Sequence, residues 1–305
     1  MGSALRGQRT LKRILDAYLD RMRIYSKPGS LRTARSSCKM LLEIFGKCSV
    51  YDLSAQDLNR FILQRRAGGV TDKTINGDLI VLRAAFNYAV SIDLLKDVPF
   101  KIKLLKVRKR KSRKILERED LKKLLDCAGD RMNGRIYGIL MVAIHTGFRT
   151  DEILHLQWRD VGWEDGSLHI TTKVGIWSSK SHQERTVFVS PELIEWLKRH
   201  RTTTTHPEDR DWVFATRTGT PTSLWNTCRA VRKVFEEAGL YEKGEATIHL
   251  IRHSVASTLL SSGTDLETVR DWLGHADIST TGIYLSTTDK RRREAASKLS
   301  LMSID

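Results

Sequence analysis

Apolar positions in the first third of the chain recur every three to four residues, the period of helices that bury one face. Leu11, Ile14, Leu15, Tyr18, Leu19 and Met22 predict a helix over residues 10–26. A second, capped by Ser30, carries Ala34, Cys38, Leu41, Leu42 and Phe45. Ser54 followed by Asp57 is a capping-box-like start for a third, which holds Leu58, Phe61 and Ile62. Ile75, Leu79, Leu82, Phe86 and Ala89 mark a fourth over 74–92. Four helices with short joints predict a small all-α domain over residues 1–98.

The pattern changes after residue 114. A helix is expected over 117–128. The stretch 136–146, with Ile139, Leu140, Val142, Ala143 and Ile144, is apolar on every side and predicts a buried helix. Residues 167–172 and 185–190 read as strands, and 177–187 reads as a β-hairpin with a lysine on its turn side. Further helices are expected at 191–201, 224–238, 249–261, 265–273 and 289–301. The fold class is therefore mainly α with a small β-sheet: an all-α first domain, an α+β second domain over 115–289, and a C-terminal helix in 290–305. In that last segment Ala295, Ala296, Leu299 and Met302 share one helical stripe, which can fold back onto its own domain or dock onto a neighbouring protomer; the second is favoured, because so short a helix has little core of its own to join.

Charge separates the two domains more sharply than hydropathy does. Of a formal net charge of +16, residues 1–110 hold 23 Lys and Arg against 9 Asp and Glu, so nearly all of the excess lies there. Between Lys101 and Lys114 there are nine basic residues and no acidic one. The segment 99–114 thus reads as a basic interdomain linker, in which Lys106, Arg108, Lys109, Arg110 and Lys111 are candidates for phosphate contacts. A basic module joined to a near-neutral body is the footprint of a nucleic-acid clamp on a catalytic domain.

Other classes are disfavoured. No run of about 18 or more apolar residues occurs, so no membrane-spanning helix is expected. Residues 1–9 lack the apolar centre of a signal peptide, although Met1-Gly2-Ser3 has the composition of a cloning remnant and leaves room for a natural N-terminal extension. Cys38, Cys48, Cys127 and Cys228 are scattered without a C-x-x-C pair, which points to a reducing cytoplasm and away from a zinc site. Cys38 and Cys127 lie among apolar neighbours and are expected in the cores.

The candidate chemistry is concentrated near the C-terminus. His249, Arg252 and His253 fall in HLIRH, His275 in WLGH, and Tyr284 in ISTTGIYL. A phenol with a pKa of about 10 is a poor nucleophile at neutral pH unless a base sits beside it and cations hold the electrophile. Phosphate suits two cationic partners, because its transition state spreads charge over several oxygens. Arg149 follows a Gly turn at the start of a helix in TGFRTDEIL, with Glu152 one turn on, placed to orient it. His249 and His253 also have metal-ligand spacing, but no Glu follows His249, no third ligand cluster is evident, and Arg252 would repel a cation.

In order, Arg149, Lys180, His249, Arg252, His275 and Tyr284 resemble the catalytic signature of the tyrosine recombinase (phage integrase) family, and Tyr284 stands nine residues after His275 as in that family. The resemblance covers most of the chain. It implies an N-terminal core-binding, SAM-like domain and a catalytic domain. Arg149 and Arg252 would hold the non-bridging oxygens of the scissile phosphate, and His275 would donate to one of them. His249 would be the acid/base residue near Tyr284, the nucleophile, with Glu152 and His253 in supporting roles. Lys180, five residues before Arg185, is the expected general acid for the 5′ oxygen; Lys173 is the second candidate. Leu250 and Phe188 depart from residues common in the family, Asp and Pro, at positions that carry no chemistry.

The resemblance further implies a reaction that needs no metal, ATP or other cofactor. It passes through a 3′-phosphotyrosyl link on double-stranded recombination sites, within a homotetramer on DNA. An accessory directionality or DNA-bending protein is a further expected partner, in the cytoplasm, at the nucleoid, of a prokaryotic host. The expected role is integration or excision of a mobile element. The alternatives are a Xer-type dimer-resolving recombinase, a type IB topoisomerase-like enzyme and a catalytically silent DNA-binding relative.

Overall fold

The computed structural model describes residues 10–46, 48–107, 114–129, 131, 134–179, 183–242 and 247–274. The chain divides into two compact units, residues 1–110 and 111–305. No described helix is long and apolar enough to cross a membrane.

The first unit packs four helices: α1 (Leu11–Tyr25), α2 (Pro28–Phe45), α3 (Ala55–Ala67) and α4 (Asp72–Ser91). Thr10 caps α1 by accepting from the amide of Arg13. Helix α2 begins two residues before the expected Ser30 cap, because Pro28 at its first position is preset for helix and lacks only an N–H that would be unpaired there. The Ser54–Asp57 box starts α3 as the sequence suggested. Thr71 caps α4, which starts at Asp72, two residues ahead of the expected Thr74. Leu11, Leu15, Leu41, Phe61, Leu79 and Phe86 are fully enclosed in the shared core, and Cys38 lies among them, its thiol pushed up to about 12 by burial and by the charge of Asp16. One buried carboxylate ties three helices together: Asp78 accepts from Ser37 Oγ at 2.7 Å and from Arg65 Nη2 at 3.0 Å.

Residues 99–107 belong to this unit. Ile102 is buried in its core, and Asn76 exchanges two hydrogen bonds with the backbone of Leu105, at 2.8 and 2.9 Å. The division between units accordingly falls after Arg110, later than Pro99, where the basic run begins.

The second unit contains α5 (Arg118–Ala128), α6 (Arg135–Thr146), α7 (Thr150–Leu154), a three-stranded sheet, α8 (Pro191–Thr203), α9 (Leu224–Glu237), α10 (Thr247–Ser261) and α11 (Leu266–Leu273). The sheet is antiparallel in the order β1 (Val161–Gly162), β2 (Ser167–Ile170), β3 (Arg185–Phe188). Helix α6 is enclosed almost throughout, as its uniform apolarity requires, and a 3₁₀ turn puts Trp158 in the same core.

The hairpin differs from expectation. The partner of β3 is β2, in the register Leu168↔Val187 and Ile170↔Arg185, so the connection runs from residue 171 to 184. Trp177 is not in the first strand of a tight hairpin; it closes a turn on Lys173 through reciprocal backbone bonds of 2.8 Å. The strand pattern in 167–170 supplies the longer and better buried partner.

Candidate active site

The site grows from the end of α6. Gly147 terminates that helix in the left-handed region (φ 66°), and a Cβ there would come within 2.9 Å of Leu273 Cδ2. Phe148 is then fully buried, and Arg149 takes extended dihedrals as the N-cap of α7. The amide of Arg149 donates to Glu152 Oε2 at 2.9 Å, and its Nη1 donates to Oε1 at 2.8 Å. Glu152 thus fixes both the backbone and the guanidinium of Arg149, as its position one turn away suggested.

Three arginines from three elements meet three consecutive carbonyls at the end of α11. Arg185 Nε donates to Trp272 O (2.9 Å), Arg252 Nη2 to Leu273 O (2.7 Å), and Arg149 Nη2 to Gly274 O (3.0 Å). The last carbonyls of a helix lack intrahelical donors and carry partial negative charge, so cations are the fitting partners. Arg252 also donates Nη1 to Gly147 O at 2.8 Å, and Trp272 Nε1 closes the ring onto Thr146 O at 2.9 Å. The turns after α6 and α11 are therefore laced together by side chains from α7, β3 and α10. Arg252, 4% exposed, shows what a buried arginine in an apolar helix does here: it meets backbone oxygens.

Electrostatics at this junction are set by Glu152, which is 1% exposed. Burial alone would push its carboxyl up. The hydrogen bonds and charge of Arg185, then the charge and amide of Arg149, outweigh that and hold it below the usual carboxylate range. One carboxylate between two guanidinia leaves a net positive cluster, suited to an anion.

The remaining candidates fall as follows. His249 is exposed on α10, one turn before Arg252, and His253 is buried on the same helix. Lys106 is exposed in the first unit. Lys180, His275, Tyr284, Arg108, Lys109, Arg110, Lys111 and the segment 290–305 lie outside the described residues. Lys173, the second candidate for general acid, is 3% exposed; its Nζ lies 2.7 Å from Asp160 Oδ2 and donates to Thr171 O and Oγ1. Arg185 was missed as a site residue. Its signal was present, since strand alternation puts it on the same inward face as Val187, but nothing in the sequence names the carboxylate it meets.

Comparison with known proteins gives the chain a family and a fold. The sequence profile of the phage integrase family matches residues 96–291. The tyrosine recombinase XerA of Pyrococcus furiosus is 27% identical over 257 residues, covering 83% of each chain. Among solved structures, the Tn1549 transposon integrase in complex with transposon right-end DNA superposes with a TM-score of 0.77 at 19% identity, over 95% of this chain and 99% of that one. The XerH site-specific recombinase bound to palindromic difH substrate gives 0.70 at 24% identity, over 88% and 79%. These two structural likenesses establish the fold.

Proposed function

This chain belongs to the phage integrase family and is a DNA strand-breaking and rejoining tyrosine recombinase, and we propose that Tyr284 is its nucleophile and that Arg149 and Arg252 hold the scissile phosphate. The observation that carries the assignment is the convergence of Arg149 and Arg252 on the carbonyls of Gly274 and Leu273. Two cations stand at the foot of the segment that leads to His275 and Tyr284. Guanidinium forks match phosphate geometry and stay charged at any working pH.

In the proposed reaction the Tyr284 oxygen attacks phosphorus, and the bond from phosphorus to the 5′ oxygen breaks. His249 takes the phenolic proton, and Lys180 gives one to the departing oxygen. The product is a 3′-phosphotyrosyl link and a free 5′ hydroxyl. The 5′ hydroxyl of a partner strand then attacks the same phosphorus, returns its proton to Lys180, and releases Tyr284, which is reprotonated. One phosphoester replaces another at each step, so no external energy source enters the balance. Lys180 is preferred to Lys173 because the Lys173 ammonium is spent on Asp160 inside the second unit.

The DNA partner is a double-stranded recombination site, bound by the helical first unit and by Lys106, Arg108, Lys109, Arg110 and Lys111, with His253 and Glu152 supporting the catalytic groups. Two sites are cut and exchanged in a homotetramer, with residues 290–305 docked onto a neighbouring protomer and an accessory bending or directionality protein setting the outcome. The biological role we favour is integration or excision of a mobile element in a prokaryotic cytoplasm. Dimer resolution of the Xer type is a second reading, favoured by the sequence likeness to XerA. DNA sequence flanking the gene separates them, since a mobile-element boundary is expected only for the first.

The chemical assignment is tested with a nicked target site on a denaturing gel. Tyr284→Phe should keep DNA binding and form no covalent adduct, because only the nucleophilic oxygen is removed. An adduct that persists in the variant would reject Tyr284.

A further inference from the structure

Arg185 is more thoroughly engaged than any role described so far requires. It opens β3 with its side chain 8% exposed. Nη2 donates to Glu152 Oε2 at 2.8 Å, Nη1 to Oε1 at 3.2 Å, and Nε to Trp272 O at 2.9 Å. Its guanidinium carbon lies 4.9 Å from the centroid of the Phe148 ring, one residue from Arg149. The α11 cap is shaped around it: a Cβ at Gly274 would come within 2.7 Å of Arg185 Nη1.

We propose that Arg185 is a positioning residue for strand cleavage, which acts by holding Glu152 and the end of α11 so that Arg149 stays aimed and its charge stays available. The inference rests on the reading that Arg149 grips the scissile phosphate. Two physical arguments support it. The first is geometric. Glu152 has two oxygens, and each accepts from both arginines, so the carboxylate cannot rotate toward Arg149 without leaving Arg185. The second concerns charge. A lone Glu152–Arg149 pair is neutral, and a neutral pair has little to offer a phosphate. With Arg185 the triad carries one net positive charge, in a low-dielectric setting where it counts. Arg185 also sits at one end of the connection that contains Lys180, and its bond to Trp272 O fixes the backbone three residues before His275. One guanidinium thereby links the three segments that carry the proposed acid and the phosphate donors.

A lysine cannot reproduce this, because a planar fork is needed to meet both carboxylate oxygens and a carbonyl together. The test uses the full chain with nicked-site DNA at saturating protein, and reads single-turnover adduct formation beside DNA affinity and thermal unfolding. Arg185→Met should bind DNA as the parent does and lose cleavage rate on the order of 10²-fold, the scale of a slight misplacement of a reacting group. Arg185→Lys, the variant that keeps a charge and folds most readily, should lose rate in the same direction.

The deciding arm is Glu152→Gln added to Arg185→Met. A neutral amide no longer cancels the charge of Arg149, so the double variant should cleave faster than Arg185→Met alone. Relief of a stranded carboxylate would by itself raise the unfolding temperature, so the recovery is read as single-turnover rate per folded, DNA-saturated protein, which a purely structural loss would leave at the parental value in both variants. A double variant no faster than Arg185→Met, or a cleavage rate in Arg185→Met and Arg185→Lys equal to that of the parent, would overturn the proposal. Arg149→Met serves as the reference. If it cleaves at the parental rate, the phosphate-holding role of Arg149 fails and the inference falls with it; if it is inactive, the Arg185 arms judge the inference alone.

Discussion

The Lys173 ammonium lies 2.7 Å from Asp160 Oδ2, with both side chains sealed from solvent. Asp160 also accepts from the amide of Gln157 at 2.8 Å and from Thr171 Oγ1 at 2.7 Å, so the pair is built into the wall beneath β2. Burial pulls the Lys173 ammonium below its ordinary value, and Asp160 restores part of that. Removing one member of a buried pair strands the other, at a typical cost of about 3–5 kcal/mol. Lys173→Met should therefore lower the unfolding midpoint strongly, while protein that remains folded at low temperature still forms the covalent adduct. An unchanged melt with no adduct would move the general-acid role from Lys180 to Lys173.

The Lys180 assignment has its own chemical test. A substrate with sulfur at the 5′ bridging position has a leaving group that needs little protonation. Lys180→Ala should cleave that substrate far better than the ordinary one. Arg149→Ala should be slow on both, since the role proposed for Arg149 is to stabilise the phosphoryl oxygens and not the leaving group.

Charge in the basic run is expected to act through phosphates. Neutralising Lys106, Arg108, Lys109, Arg110 and Lys111 should weaken binding to all DNA sequences alike. The slope of log affinity against log salt should flatten by about 0.9 for each phosphate that the variant no longer neutralises. A slope identical to that of the parent would show that this run does not touch DNA.

Glu152 makes stability depend on acid. Its carboxyl is held below the usual range in the folded chain, so it contributes stability that is complete above its unfolded value of about 4.3 and is lost as pH falls through the lower folded value. The stability gap between the parent and Glu152→Gln should be constant at neutral pH and shrink below about pH 4. Denaturant unfolding across this range measures it; a gap that widens in acid would mean that Glu152 is not the charged partner of Arg185 and Arg149.

Gly138 shows packing overruling propensity. Alanine is the better helix former by about 1 kcal/mol. Here a Cβ would run into Trp196 Cη2 and come within 2.8 Å of Phe214 Cε1, both on rigid rings. Overpacking of this kind costs about 1–3 kcal/mol, so Gly138→Ala should lower the melting temperature. A higher melting temperature would show that the rings yield.

Much of this protein can be read from its residues in order. Helical periodicity located α1, α3, α6 and α10 because one-sided or all-round burial imposes its own spacing. The blocks around Arg149 and Arg252 were legible because turn chemistry and residue type mark them locally. What local pattern could not reveal was pairing. Strand register made β2 the partner of β3, because a short strand gains stability only from the neighbour it meets in space. Arg185 and Lys173 look alike in the sequence, each a cation within or beside a strand. Tertiary packing gave one a carboxylate shared with Arg149 and the other a private, buried Asp160. The sequence alone determines the composition of the site and the order of its residues along the chain. Which cation joins the carboxylate beside Arg149 and which is consumed by a buried aspartate is decided only when elements far apart in sequence close on one another, because desolvation and charge pairing depend on neighbours that the linear order does not contain.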